Sequence, residues 1–276
     1  MKFLKYHALG NDYLVRSRSE TFVKPSVEEI QLICNRNFGL GSDGLLIESV
    51  PKTKTNFGLR IFNPDGSEAE KSGNGLRIFA RYLFDQELVQ YEPFRIETLG
   101  GIVTCRIQCP NEKIEIGMGT PELLHSGVLK VNDSNYAFQA LSMGNPHCVI
   151  PCTSLSKELI KTVGPIIERH PMFPNRTNVQ FLKILDPDNI QIEIWERGVG
   201  YTLASGSSAS AAAAVAYSAG HCKKDVNVHM PGGVIHIQID SNDKITMTGP
   251  TTFVGQLTIN SEIFLKKTLH LQEKKY

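Results

Sequence analysis

Two short segments, far apart in the chain, share one design and restrict the fold more than any other feature. The first is Lys71-Ser72-Gly73-Asn74-Gly75-Leu76-Arg77-Ile78-Phe79, and the second is Ala204-Ser205-Gly206-Ser207-Ser208-Ala209-Ser210-Ala211. In each, a serine and a glycine precede a helix-forming run, which predicts a helix with a capping hydroxyl and unpaired backbone N–H groups at its start. Because helix starts attract anions, the pair predicts one carboxylate substrate held between two helix ends.

Length and charge are those of an ordinary globular protein and argue against several kinds of partner. The 276 residues are 41% hydrophobic and 21% charged, which favours a packed core, and the length favours two medium domains. Since 29 basic residues balance 28 acidic ones, for a net charge of +1, we predict neither nucleic acid nor an anionic membrane as a partner. The lysine pairs at 266–267 and 274–275 are interpreted as a solvated tail.

The sequence shows no signal for a membrane, a metal or a cofactor. No apolar stretch approaches the roughly 18 residues of a membrane span, and the first residues lack a secretory signal, so we expect a cytoplasmic protein. The six cysteines have no CxxC pair or zinc-completing histidine and are expected to be free buried thiols. No P-loop is present, and Gly73-Asn74-Gly75 lacks the three-glycine dinucleotide spacing, so we expect no nucleotide, flavin or pyridoxal cofactor.

Hydrophobic spacing predicts an α/β fold of two halves that repeat one scheme of strands around a helix. Helices are predicted near 27–35 and 75–86 in the first half, and near 155–169 and 207–219 in the second, with strands between them. The boundary is predicted near 119–121, which gives halves 1–119 and 120–276, and the last strand is allowed to return to the first half. A repeat on this scale puts both serine-capped helix starts at a cleft between the halves.

Polar clusters rich in asparagine fall at the predicted strand ends and turns. They include Asn11, Asn63, Asn145 and Asn178, and Glu196-Arg197-Gly198 closes the last strand before the second serine-capped helix. An asparagine amide both donates and accepts hydrogen bonds, and an arginine fork binds carboxylates, so the set suits the ammonium and carboxylate of an amino acid. Any single asparagine here is also typical of a turn bonded to its own backbone, and it is the number of them that favours a site.

Seven longer strings follow one another over nearly the whole chain. They are His7-Ala8-Leu9-Gly10-Asn11-Asp12-Tyr13, Gly39-Leu40-Gly41-Ser42-Asp43-Gly44, Asn63-Pro64-Asp65-Gly66-Ser67-Glu68-Ala69-Glu70, Gly73-Asn74-Gly75-Leu76-Arg77, Gly144-Asn145-Pro146-His147, Pro174-Asn175-Arg176-Thr177-Asn178-Val179 and Trp195-Glu196-Arg197-Gly198. In type and order they resemble the diaminopimelate epimerase family. The resemblance implies two pseudo-symmetric α/β halves, each a β-barrel-like sheet around a central helix, that close on the substrate.

The resemblance also implies a reaction and a set of site residues. The reaction is a cofactor-independent proton transfer at the α-carbon, which interconverts LL- and meso-diaminopimelate for lysine and peptidoglycan precursors, and a homodimer is compatible with it. The residues implied to hold the distal, non-reacting end are Asn11, Asn63, Asn145, Asn178 and Arg197. Those implied to present N–H groups to the reacting carboxylate are Gly73, Asn74, Gly206 and Ser207. His147 and Glu196 are implied to flank the two proton-transfer positions, Ser72 and Ser205.

The chain departs from the family at those two proton-transfer positions. The family has a thiol and thiolate pair where this chain has Ser72 and Ser205, and a glycine is usual where it has Ser208. A thiol of pKa about 8.5 is partly ionised at neutral pH, whereas a hydroxyl as weak as water, at about 15.7, is not. That gap of about seven pKa units corresponds to roughly 10 kcal/mol, and a helix start returns only about 1 to 2 kcal/mol.

Three hypotheses for the function remain open at this point. The first is a diaminopimelate epimerase whose two cysteines were exchanged for serine, so that binding is intact and turnover is weak. The second is an isomerase or eliminase for a related amino acid that uses His147 and Glu196 as its bases. The third is a non-catalytic relative that binds an amino acid. The ligand contacts are the same in the first and the third, and only turnover separates these two.

Overall fold

The structure, a computed structural model, describes residues 1–17 and 25–264, so the predicted lysine tail lies outside the described residues. Within these ranges the chain forms four helices and eighteen strands. The helices are α1 Val27–Cys34, α2 Gly73–Asp85, α3 Lys157–Glu168 and α4 Gly206–Ser218. The earlier strands are β1 Lys2–Ala8, β2 Asn11–Arg16, β3 Leu45–Ser49, β4 Phe57–Phe62, β5 Glu68–Ala69, β6 Phe94–Thr98, β7 Gly101–Cys109, β8 Lys113–Gly119 and β9 Glu122–Val131. The later strands are β10 Ser134–Ser142, β11 Pro146–Pro151, β12 Asn178–Asp186, β13 Asn189–Glu196, β14 Gly200–Thr202, β15 Asp225–Met230, β16 Gly233–Ile239, β17 Ile245–Gly249 and β18 Thr252–Thr258.

The two halves follow the same path. In the first, the antiparallel pair β1–β2 leads through α1 to β3, which lies parallel to β2; β3 pairs with β4, and α2 leads to β6, parallel to β4. In the second, β10–β11 leads through α3 to the parallel β12; β12 pairs with β13, and α4 leads to β15, parallel to β13. The prediction of an α/β fold with two pseudo-symmetric halves is therefore confirmed.

Three strand pairings join the beginning, middle and end of the chain. β9 pairs with β10, which follows it, whereas β18, near the end of the chain, pairs with β1. β8 pairs with β17 and so connects the first half to the second. All the strands belong to one hydrogen-bonded sheet. The division of the chain at residues 119 and 120 stays a prediction.

Helices α2 and α4 lie among the strands and determine where the site forms. α2 contacts β1, β2, β7 and β8, and α4 contacts strands β10 to β13 and β15 to β17. Residues 209–216 of α4 are all buried and are mostly alanine, whose small side chain lets strands approach from every side. One core cluster contains residues of both helices, and smaller clusters lie under α1 and α3.

The sequence predicted the helices well and missed strands at the junctions. The two serine-capped helices begin one or two residues earlier than predicted, directly after their caps. β9 and β18 were not predicted, because most of their side chains are exposed and the strands carry little apolar alternation. Among the described residues, every helix is too short or too polar to cross a lipid bilayer.

Candidate active site

Ser72 and Ser205 cap α2 and α4 in nearly the same backbone conformation. Ser72 has φ −139° and ψ 117°, and Ser205 has φ −146° and ψ 122°, so each is extended and the helix begins directly after it. Ser72 Oγ accepts a hydrogen bond from the Gly75 N–H at 3.0 Å, and Ser205 Oγ accepts one from the Ser208 N–H at 3.4 Å. Since a helix start has about four N–H groups without a helical partner, further donors remain for an anion.

The two helix starts approach each other closely through glycine. A Cβ atom added to Gly73 would lie 3.3 Å from Gly206 Cα, and one added to Gly206 would lie 3.3 Å from Gly73 Cα. The buried side chain of Met247 occupies the adjoining space, with its Sδ 2.5 Å from the Cβ position of Gly206. The positive ends of two helix dipoles therefore converge on one place.

This place opens into a cleft of ≈ 630 Å³, within the range of about 300 to 1,000 Å³ that is typical of small-molecule sites. The structure brings nearly all of the predicted site residues to its wall. They are Asn11, Asn63, Ser72, Gly73, Asn74, Asn145, Asn178, Glu196, Arg197, Ser205, Gly206 and Ser207. Their roles toward a substrate stay predictions.

The amides of Asn74 and Asn11 link the two helix starts by hydrogen bonds. Asn74 Nδ2 donates to Asn11 Oδ1 at 3.0 Å and to the carbonyl of Ala204, directly before the second cap, at 3.0 Å. Asn74 Oδ1 accepts from Arg77 Nη2 at 2.8 Å, and Asn11 Nδ2 donates to Asp43 Oδ2 at 3.1 Å. Both amides thus form several bonds within the protein and tie α2 to the chain that enters α4.

Arg77 places a buried positive charge behind the two helix starts. Its side chain is fully buried, and its Nη1 lies 3.0 Å from Met247 Sδ. Within the described residues it forms no salt bridge, and its Nε has no hydrogen-bond partner. Burial lowers the pKa of Arg77 to about 9, so the guanidinium is still charged at neutral pH.

Asn178 joins two loops on the opposite side of the cleft. Its Nδ2 donates to the Pro146 carbonyl at 2.9 Å, and its Oδ1 accepts from the Arg197 backbone N–H at 3.0 Å. The Arg197 guanidinium donates to the Asn175 carbonyl at 3.3 Å while it lines the cleft. One asparagine therefore sets the positions of the loop that carries Asn145 and the loop that carries Arg197.

Glu168, which the sequence analysis did not identify, anchors this second loop from behind. Its side chain is 4% exposed and accepts hydrogen bonds from Trp195 Nε1 at 2.7 Å, from the Gly198 N–H at 3.0 Å and from Arg176. Burial alone would raise the pKa of Glu168, but these hydrogen bonds and the Arg176 charge outweigh it and lower the pKa. The sequence does carry one signal for Glu168. It is an acidic residue at the last position of α3, where the helix dipole disfavours a negative charge.

Each capping serine has a different titratable neighbour. Glu196 and Ser205 both line the cleft, and burial raises the pKa of Glu196 although the nearby Ser205 hydroxyl opposes the shift. On the other side, Tyr13 Oη lies 3.2 Å from Ser72 Oγ, and burial raises the pKa of Tyr13. Tyr13 was not among the predicted site residues. The cleft thus pairs one serine with a carboxyl group and the other with a phenol.

His147 is not brought to the cleft wall with the other predicted residues. It is 1% exposed, and its Nε2 lies 2.9 Å from the Oδ1 of Asn145, which does line the cleft. Burial lowers the pKa of His147 to about 3, so the imidazole is neutral at physiological pH. Its role as a base stays a prediction, and its observed link to the cleft passes through Asn145.

The acid–base groups at the cleft are carboxyl groups, hydroxyls and basic side chains rather than thiols. The cysteines are free, as predicted; four are buried, and Cys109 and Cys152 are partly exposed. None of the six lines the cleft. Over residues 1–17 and 25–264, no group of three or more His, Cys, Asp or Glu side chains is arranged to hold a metal ion.

Comparison with known proteins identifies relatives over nearly the full chain. The sequence profile of the diaminopimelate epimerase family matches residues 3–124 and 139–254. Diaminopimelate epimerase 2 of a Nostoc species is 50% identical over 282 residues, which cover 98% of this chain and 99% of that protein. Diaminopimelate epimerase of Carboxydothermus hydrogenoformans is 39% identical over 280 residues, which cover 96% and 100% of the two chains.

Solved structures with the same fold are more distant in sequence. A hydroxyproline epimerase from Agrobacterium vitis superimposes with a TM-score of 0.72 at 14% identity, over 94% of this chain and 90% of that one. At this identity the likeness concerns the fold alone. The full-length sequence matches go further, and they show that the chain belongs to the diaminopimelate epimerase family.

Proposed function

We propose that the protein is a cofactor-independent amino-acid epimerase that interconverts LL- and meso-diaminopimelate by two-base proton transfer at one α-carbon. The observation that carries the proposal is the meeting of two serine-capped helix starts in one cleft, each serine beside a titratable group. Similarity to diaminopimelate epimerases over nearly the full chain supports the choice of substrate. In this proposal the enzyme acts in the cytoplasm on a free amino acid, supplies lysine and peptidoglycan precursors, and is compatible with a homodimer.

The reacting carboxylate would bind between the two helix starts. Backbone N–H groups of Gly73, Asn74, Gly206 and Ser207 donate to it, and the charge of Arg77 lies behind them. When the α-proton leaves, negative charge spreads from the α-carbon into this carboxylate. Donors already aimed at the carboxylate then stabilise the transition state more than the ground state, which is what accelerates the reaction.

The distal end of the substrate would bind among the asparagines and Arg197. Asn63, Asn145 and Arg197 line the cleft and offer amide and guanidinium groups to a second ammonium and carboxylate. Asn11 and Asn178 belong to the same set, although their amides already hold the surrounding loops together. A substrate with an amino-acid group at both ends matches a cleft that is polar at both ends.

We assign Ser72 and Ser205 to the positions of the family's thiol pair. A serine hydroxyl alone is too weak an acid to replace a thiol, by roughly 10 kcal/mol at most. Glu196, which lines the cleft with Ser205, offers a carboxylate as the proton acceptor on that side. The serine form is therefore expected to turn over slowly rather than not at all.

A second candidate function is favoured by this same placement of Glu196 near Ser205. It is the isomerisation or elimination of a related amino acid, with Glu196 and His147 as the bases. In that case His147→Ala and Glu196→Gln each abolish turnover, and full turnover in either variant would exclude it. The burial of His147 and its pKa near 3 weigh against this alternative. A non-catalytic amino-acid-binding protein would bind substrate without exchanging its α-hydrogen.

The test is turnover of LL-diaminopimelate in D₂O, followed by NMR as α-hydrogen exchange and as meso product. We would compare the protein as it stands with the Ser72→Cys/Ser205→Cys variant. Ser72→Cys/Ser218→Cys is the matched control, because Ser218 is at the far end of α4 and its hydroxyl bonds to the Val215 carbonyl. It introduces the same number of thiols but only one of them in the cleft.

We expect slow exchange by the serine form, a large increase in the double cleft variant and no comparable increase in the control. Turnover by the double cleft variant alone would mean an epimerase scaffold without its acid–base pair. Exchange by the serine form would mean that another base is at work, beginning with Glu196. If neither form exchanges the α-hydrogen or makes meso product, the proposed function is wrong.

A further inference from the structure

Three buried tyrosines lie in the core around α2, and their hydroxyls have different surroundings. Tyr6 Oη donates to Asp85 Oδ2 at 2.9 Å, and Tyr82 Oη donates to Glu48 Oε2 at 3.3 Å. Neither of these two residues lines the cleft. Tyr13 is 7% exposed, lines the cleft and has its hydroxyl 3.2 Å from Ser72 Oγ. Tyr13 alone among the three has its phenol at a proton-transfer position.

The ring of Tyr13 is held in this position by close packing. It belongs to β2, whose pairing with β1 sets Tyr13 opposite Tyr6. A Cβ atom on Gly44 would lie 2.5 Å from Tyr13 Cε1 and 2.9 Å from Tyr13 Cδ1, so the ring lies in space that only glycine leaves open. A packed ring keeps its hydroxyl within reach of Ser72.

The hydrogen bond between the two hydroxyls can run in either direction. Ser72 Oγ already accepts the Gly75 N–H at 3.0 Å. When Tyr13 donates to Ser72, the hydroxyl proton of Ser72 is left for the cleft; when Ser72 donates to Tyr13, an oxygen lone pair faces the cleft instead. Reversal of one hydrogen bond thus switches Ser72 between proton donor and proton acceptor.

We propose that Tyr13 is the proton reservoir for Ser72, and that Glu196 plays the complementary part for Ser205. This inference rests on the proposed function and deepens it. Tyr13 acts through Ser72 and is therefore a positioning residue, whose phenol proton replaces the one that Ser72 gives to the substrate. The pairing makes the two faces of the site chemically different, with a carboxylate behind one serine and a phenol behind the other.

In one direction of the reaction the steps balance as follows. The Cα–H bond breaks on the Ser205 side; its proton goes to Ser205 Oγ while the Ser205 hydroxyl proton passes to the Glu196 carboxylate. The electron pair left on Cα, delocalised into the substrate carboxylate, takes the Ser72 hydroxyl proton on the opposite face. The Tyr13 phenol proton then passes to Ser72 Oγ. Glu196 has gained one proton, Tyr13 has become a phenolate, and exchange with solvent restores both.

Acid strength explains why Ser72 needs such a partner. A phenol has an ordinary pKa of about 10, against about 15.7 for a hydroxyl as weak as water. Burial raises the pKa of Tyr13, the hydrogen bond with Ser72 opposes this shift, and the negative charge of Glu196 adds to it. Although weakened, a phenol is still a better source of a proton than an aliphatic hydroxyl alone.

The test compares Tyr13→Phe with Tyr82→Phe, which removes a hydroxyl from another buried ring of the same core. LL- and meso-diaminopimelate are each incubated in D₂O, and NMR gives the ratio of α-deuterium incorporated with retention to α-deuterium incorporated with inversion. A ratio measured within one sample does not depend on how much enzyme is folded. Ser72→Cys and Tyr13→Phe/Ser72→Cys complete the set, because a thiol at position 72 supplies its own proton.

We expect Tyr13→Phe to slow inversion by about 100-fold or more, the usual effect of losing a general acid, while one epimer still exchanges with retention. The ratio of retention to inversion therefore rises in Tyr13→Phe and stays at the wild-type value in Tyr82→Phe. In the Tyr13→Phe/Ser72→Cys variant the ratio should equal that of Ser72→Cys. If exchange and inversion fall together in Tyr13→Phe, or neither changes, the role of Tyr13 is structural and the inference is wrong. Absence of exchange in the wild type and in Ser72→Cys/Ser205→Cys would instead overturn the proposed function, and the inference with it.

Discussion

At the scale of single residues, two glutamates next to the same loop differ in what burial does to them. Glu196 lies at the cleft, where burial raises its pKa and the nearby Ser205 hydroxyl only partly compensates. Glu168 lies behind the loop, where Trp195, Gly198 and Arg176 outweigh burial and lower its pKa. A raised pKa means that the surroundings favour the protonated form, which suits a group that accepts a proton. A lowered pKa means that the surroundings favour the ionised form, which suits a carboxylate that holds its neighbours by hydrogen bonds.

Glu196→Gln is expected to remove most of the activity and, at neutral pH, to increase stability. Removal of a general base slows a reaction by about 10² to 10⁴-fold. The folded pKa of Glu196 is raised, so its favourable contribution exists below the unfolded pKa of about 4.3 and is lost as pH rises through the folded pKa. The free energy of unfolding, measured with urea for both proteins across this range, should increase in the variant relative to the wild type as pH rises. A stability difference that does not vary with pH would contradict this.

Glu168→Gln is expected to show the opposite dependence on pH. The folded pKa of Glu168 is lowered, so its stabilisation is present above about pH 4.3 and is lost as pH falls through the folded pKa. Hydrogen bonds to a charged group contribute about 1.5 to 3 kcal/mol each. A glutamine at position 168 would also place its own N–H against one of the three donors that now bond to the carboxylate, so that hydrogen bond would be lost. The variant should therefore be clearly less stable than wild type at pH 7, with the difference shrinking below pH 4. Glu158→Gln, an exposed change in the same helix, is the control, and an equal loss there would refute the anchoring role.

Sequence patterns find site residues when the signal is local and miss them when it is long-range. Ser72 and Ser205 were identifiable because a cap, a glycine and a helix follow one another directly in the chain. Tyr13 reads as one more apolar residue of a strand, and only folding brings it to Ser72. His147 was predicted from the family's motif, and its burial behind Asn145 depends on packing that no short motif contains.

At the scale of secondary-structure elements, the site depends on the close approach of two helix starts. Gly206→Ala should therefore be destabilising, although alanine ordinarily favours a helix by about 1 kcal/mol over glycine. The added Cβ would lie 2.5 Å from Met247 Sδ and 3.3 Å from Gly73 Cα, and Met247 cannot retreat freely because Arg77 Nη1 is 3.0 Å from its sulfur. Overpacking of this kind costs about 1 to 3 kcal/mol and would displace the N–H groups that we propose bind the substrate carboxylate.

The measurement is thermal unfolding together with the KM for diaminopimelate, with Gly117→Ala as the control. Gly117 lies in β8, and its nearest neighbour would be 3.4 Å from the new Cβ, an ordinary contact. Gly206→Ala should lower the melting temperature and raise KM, whereas Gly117→Ala should leave KM unchanged. A Gly206→Ala protein with wild-type KM would mean that the approach of the helices is not needed for binding.

The elements themselves were predictable where burial imposes a period on the sequence. The strands β6 to β8 alternate buried apolar residues with more exposed ones, and this pattern predicts strands at 94–98, 101–108 and 113–118, close to the observed bounds. α2 is buried over most of its length, Asn74 and Arg77 included, and its prediction at 75–86 rests on the preceding serine cap and the helix-forming run. β9 exposes seven residues in succession, so its sequence carries no alternation, and its strand conformation comes from pairing with β10. Secondary structure that depends on a partner strand is not encoded in its own residues alone.

At the scale of the whole molecule, the two halves share one core and should unfold together. The largest core cluster runs from Tyr6 and Leu46 to Ile235 and Met247, and so includes residues of both halves. The pairings β8–β17 and β1–β18 add backbone hydrogen bonds between the beginning and the end of the chain.

This cooperativity can be tested with the single tryptophan. Trp195 packs against the smaller cluster of the second half, so its fluorescence reports on that half, whereas far-UV circular dichroism reports on all helices and strands. In wild type the two urea transitions should coincide, as for a two-state protein. Separate transitions in wild type would mean that neither the shared core nor the β1–β18 and β8–β17 pairings couple the two halves.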